Sequence, residues 1–219
     1  MSEKSAAIRF DWARRERTGV PEAVFCENKS IEQLAAIIAM AQSRSHPLLL
    51  TRLDADKAEL LASPQLDYEL VSRTGVIGER VERCFASPAL AIVGAGTSDL
   101  PVMMEAKRSA EYLGIETDLF ADIGVAGLWR LLDAMPEISQ YKVIIAVAGM
   151  EGALFSVLAG LVSAPLIAVP TSVGYGVAEG GKAALSSALG ACSPGIMTVN
   201  IDNGFGAAAA AFKILALTK

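Results

Sequence analysis

Two side chains stand out as able to do covalent or proton-transfer chemistry, Glu151 and Cys192. Glu151 lies in Ala148-Gly149-Met150-Glu151-Gly152-Ala153, a carboxylate among small residues directly after a strongly apolar run. Partial desolvation there would raise its pKa and suit it to general acid–base work. The plainer reading is a first-turn glutamate favoured by the helix dipole. Cys192 lies in Gly190-Ala191-Cys192-Ser193-Pro194-Gly195, past a helix end and before the last apolar run. Most cysteines are small buried hydrophobes, but a glycine-flanked thiol near a ligand-binding rim can be a nucleophile. Cys26 and Cys84 stand in apolar surroundings and read as packing residues. Three cysteines cannot all pair, and their spacing matches no zinc motif. Reduced thiols in a cytoplasm are expected, and no residue is assigned as a metal ligand. The single histidine, His46, excludes a multi-histidine metal site and a chain of histidine proton shuttles.

Around these two residues run polar, glycine-rich segments: Gly94-Ala95-Gly96-Thr97-Ser98-Asp99, Asp122-Ile123-Gly124-Val125-Ala126-Gly127, Gly149-Met150-Glu151-Gly152, Pro170-Thr171-Ser172-Val173-Gly174-Tyr175-Gly176 and Asn200-Ile201-Asp202-Asn203-Gly204-Phe205-Gly206. Generic βα loops are also glycine-rich, but five decorated loops exceed what folding requires. The first resembles a dinucleotide fingerprint with Asp99 where the third glycine belongs, and Gly180-Gly181-Lys182 lacks P-loop spacing. Ser98 is expected to cap the following helix, with Asp99 in its first turn and Pro101 tolerated there. Such a helix start, with exposed amides, would equally hold a phosphate or carboxylate.

The elements that must position these loops follow from the pattern. Strands are expected over residues 89–93, 117–120, 142–147, 166–169 and 196–200, and helices over 99–113, 126–134, 153–162, 181–189 and 204–217. Strands apolar at nearly every position are buried on both faces, as in a parallel sheet between helix layers. The fold class is therefore α/β: a doubly wound, flavodoxin-like, parallel five-stranded sheet of order 2-1-3-4-5, with ligands at the carboxyl ends of its strands. A composition shift near Pro88 sets the expected division, a small N-terminal α/β region over 1–87 and a catalytic domain over 88–219. In the first region, strands are expected over 23–26, 48–53 and 68–72. Helices are expected from the Ile31, Leu34, Ile37, Ile38, Ala41 stripe capped by Ser30, and over 56–62. The arginines Arg9, Arg14, Arg15 and Arg17 read as a solvated face or, less simply, a phosphate clamp. The last helix has almost no polar face and is expected to be a core helix or a subunit contact.

The chain has 219 residues, 53% hydrophobic and 20% charged, with only 6% aromatic. It is rich enough in apolar side chains to exclude disorder throughout, with a core built of small aliphatics. A net charge of −5 argues against nucleic-acid binding as the main role. No leader follows Met1-Ser2-Glu3-Lys4, and no run of about 18 apolar residues suggests a membrane span.

Gly96-Thr97-Ser98-Asp99-Leu100-Pro101 is similar to the Gly-Ser-x-Ser-Asp-x-Pro loop of PurE aminoimidazole ribonucleotide carboxylases. The whole set resembles the LarB family more closely, over 96–101, 122–128, 147–154, 168–176, 199–208 and the N-terminal 17–22, nearly the whole chain. That resemblance implies a PurE-like catalytic domain acting on nicotinic acid adenine dinucleotide. The pyridinium ring is carboxylated and the phosphoanhydride hydrolysed, releasing AMP and pyridinium-3,5-biscarboxylic acid mononucleotide for a nickel-pincer nucleotide cofactor. It places the family's ring-adding cysteine on Cys192 and its assisting glutamate on Glu151. The implied substrate-binding set is Gly96, Thr97, Ser98, Asp99, Asp122, Gly124, Gly149, Met150, Ser172, Tyr175, Gly176, Asp202 and Asn203. Within that set Ser98 and Asp99 would hold carboxylate, ribose or phosphate groups. Ser172, Tyr175 and Gly176 would close over the ring, and Asp202 and Asn203 would line the rim. Carbon dioxide or bicarbonate is the co-substrate, and phosphoanhydride hydrolysis suggests Mg²⁺. PurE-like proteins assemble as octamers, so a homo-oligomer with sites shared between subunits is expected, with no nucleic-acid or membrane partner. The chain departs from the pattern at Trp129, where relatives carry histidine, at Phe155 for a proline, and at Glu179 in a usually more apolar loop.

Two other readings differ in what they require. A PurE-type carboxylase or mutase relies on histidines in the loops after the second and third strands, and these loops hold none. A non-catalytic nucleotide-binding module would bind ligand tightly without turnover.

Overall fold

The protein is described by a computed structural model covering residues 8–217 except 62, 80, 81 and 83. Its contacts divide the chain into two compact units, Met1–Val81 and Glu82–Lys219. Expectations for Met1 to Lys4 and for Ala62 fall outside the described residues.

In the first unit, α1 (Arg14–Thr18) precedes β1 (Ala23–Phe25), α2 (Ile31–Gln42), β2 (Leu48–Thr51), α3 (Ala55–Leu61), β3 (Leu66–Glu69) and β4 (Thr74–Ile77). The sheet order is β1-β2-β4-β3, with β1 and β2 parallel and the other pairs antiparallel. Ser30 caps α2 in a reciprocal capping box with Gln33, and Leu34, Ile37, Ile38 and Ala41 form its buried stripe. The strand expected over 68–72 is instead a hairpin. The Glu69 carboxylate accepts the amides of Val71 and Ser72, and Arg73 turns the chain with φ 54. That reversal ends β3 at Glu69 and starts β4. His46 packs edge-on against Trp12, its Nδ1 2.7 Å from the Pro47 carbonyl. Arg14 and Arg17 pair with Asp11, and Arg14 also reaches Glu22, which supports the solvated-face reading of these two. Cys26 is buried, and burial pushes its thiol up to about 12.

The second unit alternates strand and helix: β5 (Leu90–Gly94), α4 (Leu100–Tyr112), β6 (Thr117–Phe120), α5 (Leu128–Ile138), β7 (Val143–Ala148), α6 (Ala153–Ala159), β8 (Leu166–Pro170), α7 (Lys182–Gly190), β9 (Ile196–Thr198) and α8 (Gly204–Ala216). All pairs are parallel in the order β6-β5-β7-β8-β9, which is 2-1-3-4-5, as the apolar strand pattern suggests. Residues 84 and 85 belong to this unit. The Cys84 amide bonds the Gly114 carbonyl, and Phe85 meets Phe212 edge-on at 5.6 Å.

Side-chain size sorts the helices onto the two faces. On one face Ile92, Ile145, Val147, Ile167 and Val169 meet the small residues Ala106, Ala110, Ala207, Ala208 and Ala211 of α4 and α8. On the other, the strand alanines Ala91, Ala146, Ala148 and Ala168 meet Leu131, Leu154, Phe155 and Leu158 of α5 and α6. Large against small on each side keeps both layers close-packed. The apolar last helix is thus a core helix. Gly204 lets it approach α4 so closely that a Cβ there would lie 2.7 Å from the Val102 carbonyl oxygen.

Candidate active site

Every parallel strand of the second unit delivers its following loop to the same carboxyl edge. Five such loops meet there, and three of them carry a non-glycine residue in left-handed backbone: Asp122 (φ 57), Met150 (φ 51) and Asp202 (φ 55). Each costs roughly 1 kcal/mol or more against ordinary backbone, and such residues concentrate at functional sites. Glycines at this edge allow close packing. A Cβ on Gly124 would lie 2.6 Å from the Ala95 carbonyl oxygen, and one on Gly149 only 2.2 Å from the Val173 carbonyl oxygen. Gly124 and Gly149 are therefore buried scaffold, while a Cβ on Gly96 would meet only Asp99 Oδ2, at an ordinary 3.8 Å.

Thr97 and Ser98 lie exposed on the 3-10 turn that leads into α4. Ser98 does not cap that helix. Asp99 tightens the turn instead, its Oδ2 accepting the Gly96 amide at 3.0 Å. Its Oδ1 accepts the Thr171 hydroxyl at 2.7 Å. Both Asp99 and Thr171 are buried. Burial pushes the Asp99 carboxyl above the ordinary aspartate range, against the pull of the bonds from Thr171 and Gly96.

Glu151 is exposed at the tip of the third loop, between left-handed Met150 and left-handed Gly152. The expected desolvation is absent within one chain, because the small residues around it leave it open to water. Ser172 is exposed, and its amide donates to Asp202 Oδ1 at 2.8 Å. Tyr175 is 78% exposed and Val177 fully so, which puts the fourth loop out in solvent next to exposed Gly176. Asn203 Oδ1 accepts the Gly206 amide at 2.8 Å and caps α8.

The edge also holds two residues the sequence reading passed over. Arg130 pairs with Asp122 at 2.9 Å and lies against Gly127, where a Cβ would fall 2.8 Å from its Nε. A cation in the first turn of a helix opposes the helix dipole, and that was the available signal. Thr171, the first polar residue after an apolar strand, is the other. Trp129 is 67% exposed, Phe155 is fully buried beside Gly152, and Glu179 lies exposed at a kink in the fourth loop.

Cys192 is not part of this gathering. It lies between α7 and β9, and the chain enters a parallel strand at its amino end. The Gly195 carbonyl accepts the amide of Leu166, the first residue of β8, and Ser193 Oγ donates to the Ser156 carbonyl at 3.0 Å. Cys192 is therefore exposed on the amino edge of the sheet, not on the expected rim. Five residues of β8 at about 3.3 Å each set the two edges roughly 15 Å apart.

Two family models match the chain: LarB/PurE-like N-terminal domain over residues 2–79 and AIR carboxylase over residues 89–219. An uncharacterized protein of Methanocaldococcus jannaschii is 38% identical over 209 residues, covering 91% of this chain and 80% of its own. The N5-carboxyaminoimidazole ribonucleotide mutase of the same organism is 35% identical over 133 residues, 58% of this chain and 79% of its own. A crystal structure of a Treponema denticola PurE2 variant aligns with TM-score 0.43 at 18% identity, covering 59% of this chain and 89% of that one.

Proposed function

The chain belongs to the LarB family, related to PurE and carboxylase-type in function, and on that premise we propose that it carboxylates the pyridinium ring of nicotinic acid adenine dinucleotide and hydrolyses the phosphoanhydride. The observation that carries this reading is the carboxyl edge itself, an exposed Glu151 on a clamped turn among loops rich in amides. A pyridinium is electron-poor and cannot attack carbon dioxide. Addition of the Cys192 thiolate at ring C4 gives a neutral dihydropyridine whose C5 is enamine-like and nucleophilic. C5 then bonds to carbon dioxide, leaving an iminium. Glu151 takes the C5 proton, and expulsion of the thiolate restores the aromatic ring. Arg130, steadied by Asp122, suits a phosphate or carboxylate of the substrate.

With the thiol and the base on opposite sheet edges, one chain does not complete the site. A second copy brings its amino-edge loop, with Cys192 and the 70% exposed Leu189, against the first copy's rim. The exposed apolar residues Leu128, Trp129 and Leu132 of α5 suit such a contact. An octamer is one closed assembly that provides it. Mg²⁺ is part of the proposal as well. Among the described residues, no group of three or more His, Cys, Asp or Glu could hold a metal by itself. That donor set fits only a cation carried mainly by the substrate's phosphates with one rim carboxylate, Asp202, as a ligand.

The test incubates the protein with the dinucleotide, bicarbonate and Mg²⁺ and follows products by mass. AMP and a doubly carboxylated mononucleotide are expected. Tight binding of the dinucleotide with neither product would favour a binding module and overturn the carboxylase reading.

A further inference from the structure

Asp99 faces inward, and its bonds go to protein. Asp99 is 3% exposed, Oδ1 accepts from the Thr171 hydroxyl and Oδ2 from the Gly96 amide. These donors come from two different loops, those after β5 and β8, and the Thr171 amide in turn donates to the Ala148 carbonyl at the end of β7 at 2.9 Å. We propose that Asp99 is a positioning residue: it ties the loops after β5 and β8 together and, through the Val173 carbonyl that holds the Met150 amide, thereby fixes Glu151.

The clamp is visible on both sides of the glutamate. Gly149 is packed against the next loop, where a Cβ would lie 2.2 Å from the Val173 carbonyl oxygen and 2.7 Å from Thr171 Oγ1. The Met150 amide donates to Val173 O at 2.8 Å, and the Gly152 amide closes back onto Gly149 O at 3.0 Å. A Cβ on Gly152 would meet Phe155 at 2.8 Å and the Ala184 backbone at 3.1 Å, so the far side is held as well. Glu151 is thus an exposed side chain on backbone with little freedom. Hydrogen bonds to a carboxylate are stronger than neutral ones, and a base displaced by about 1 Å costs about 10²-fold in rate. Asp202, which receives the Ser172 amide, is the charged neighbour on the remaining side.

The proposal rests on Glu151 as the base, and the experiment separates the two ideas. In Asp99→Asn, the amide nitrogen must face at least one of the donors that the carboxylate accepted. Turnover is expected to fall about 30- to 100-fold with KM within about threefold. Amide hydrogen exchange at Gly96 and Met150 should speed at least about tenfold, with α8 unchanged. Thr171→Val should show the same pattern more weakly, and Thr171→Ser, which keeps the hydroxyl, should restore it. Thr171→Val also serves if Asp99→Asn fails to fold. A raised KM at intact turnover would make Asp99 a direct ligand and overturn the proposal, as would unchanged exchange at Met150. If the unmodified protein turns over no dinucleotide, the reading of Glu151 fails, while the exchange data still decide whether Asp99 ties the loops.

Discussion

The two edges of the five-stranded sheet are built differently. On the carboxyl edge, Gly124, Gly149, Gly152, Gly174 and Gly181 all stand where a Cβ would strike a neighbour within 3.0 Å. On the amino edge, Gly190 and Gly195, which bracket Cys192, have nothing within 4 Å. One edge is interlocked, with loops that hold one another; the other presents a thiol on an open loop. A sheet with both reactive groups on its interlocked edge would be a self-contained site. This chain, read through its proposed chemistry, is two half-sites facing opposite ways.

That contrast is broken most directly by mixing. Cys192→Ala and Glu151→Gln should each lose at least about 10³-fold in turnover alone. Co-assembled in equal amounts, they should recover about a quarter of the unmodified rate, because random pairing puts an intact thiol opposite an intact base in one site of four. A mixture as inactive as its parts would place both residues of a site on one copy and refute the divided arrangement.

Next in size is the packing difference. Gly149→Ala places a methyl 2.2 Å from the Val173 carbonyl oxygen and 2.7 Å from Thr171 Oγ1, both held by the loop network. A cost of about 2–4 kcal/mol in urea unfolding is expected. Gly190→Ala, in the last turn of α7 with open space around it, should stay within about 0.5 kcal/mol or gain slightly. Equal costs would mean that the amino-edge loop is packed too, against a surface outside the single chain.

Much of this was legible in the sequence, for identifiable reasons. The runs Leu90–Gly94 and Val143–Ala148 are apolar at every position but the last glycine, and that continuity fixes a doubly covered parallel sheet. Ser30 and Gln33 announce their capping box by spacing alone. The edge on which Cys192 lies was also implicit, since it follows a helix and precedes a strand. Its glycine neighbours merely made it look like a rim residue. What could not be read is which polar side chain turns inward. Ser98 and Asp99 are adjacent and both favour helix starts, and only Thr171, 72 residues on, makes Asp99 the buried one. The hairpin at 69–74 was hidden for a similar reason, because Glu69 looks like a strand residue until its carboxylate is seen to take two turn amides.

The smallest expected effect is in how the two edges respond to pH. Asp99 on the carboxyl edge and Tyr141 before β7 on the amino edge both hold their protons more tightly in the folded chain, chiefly because burial disfavours the charged form. For Tyr141 the bond from its hydroxyl to Asp118 Oδ2, at 2.6 Å, adds to that. In each case the folded state binds more protons than the unfolded state between the two pKa values, so stability falls as pH rises through that interval. The intervals are far apart. Asp99 acts upward from the ordinary aspartate value near 4, and Tyr141 upward from about 10. Asp99→Asn should flatten the decline on the acid side only, and Tyr141→Phe the decline on the alkaline side only, in urea midpoints taken across pH. If Asp99→Asn left the acid-side slope unchanged, the bonds that the carboxylate accepts would fully offset its burial, and only the amino edge would carry a pH response.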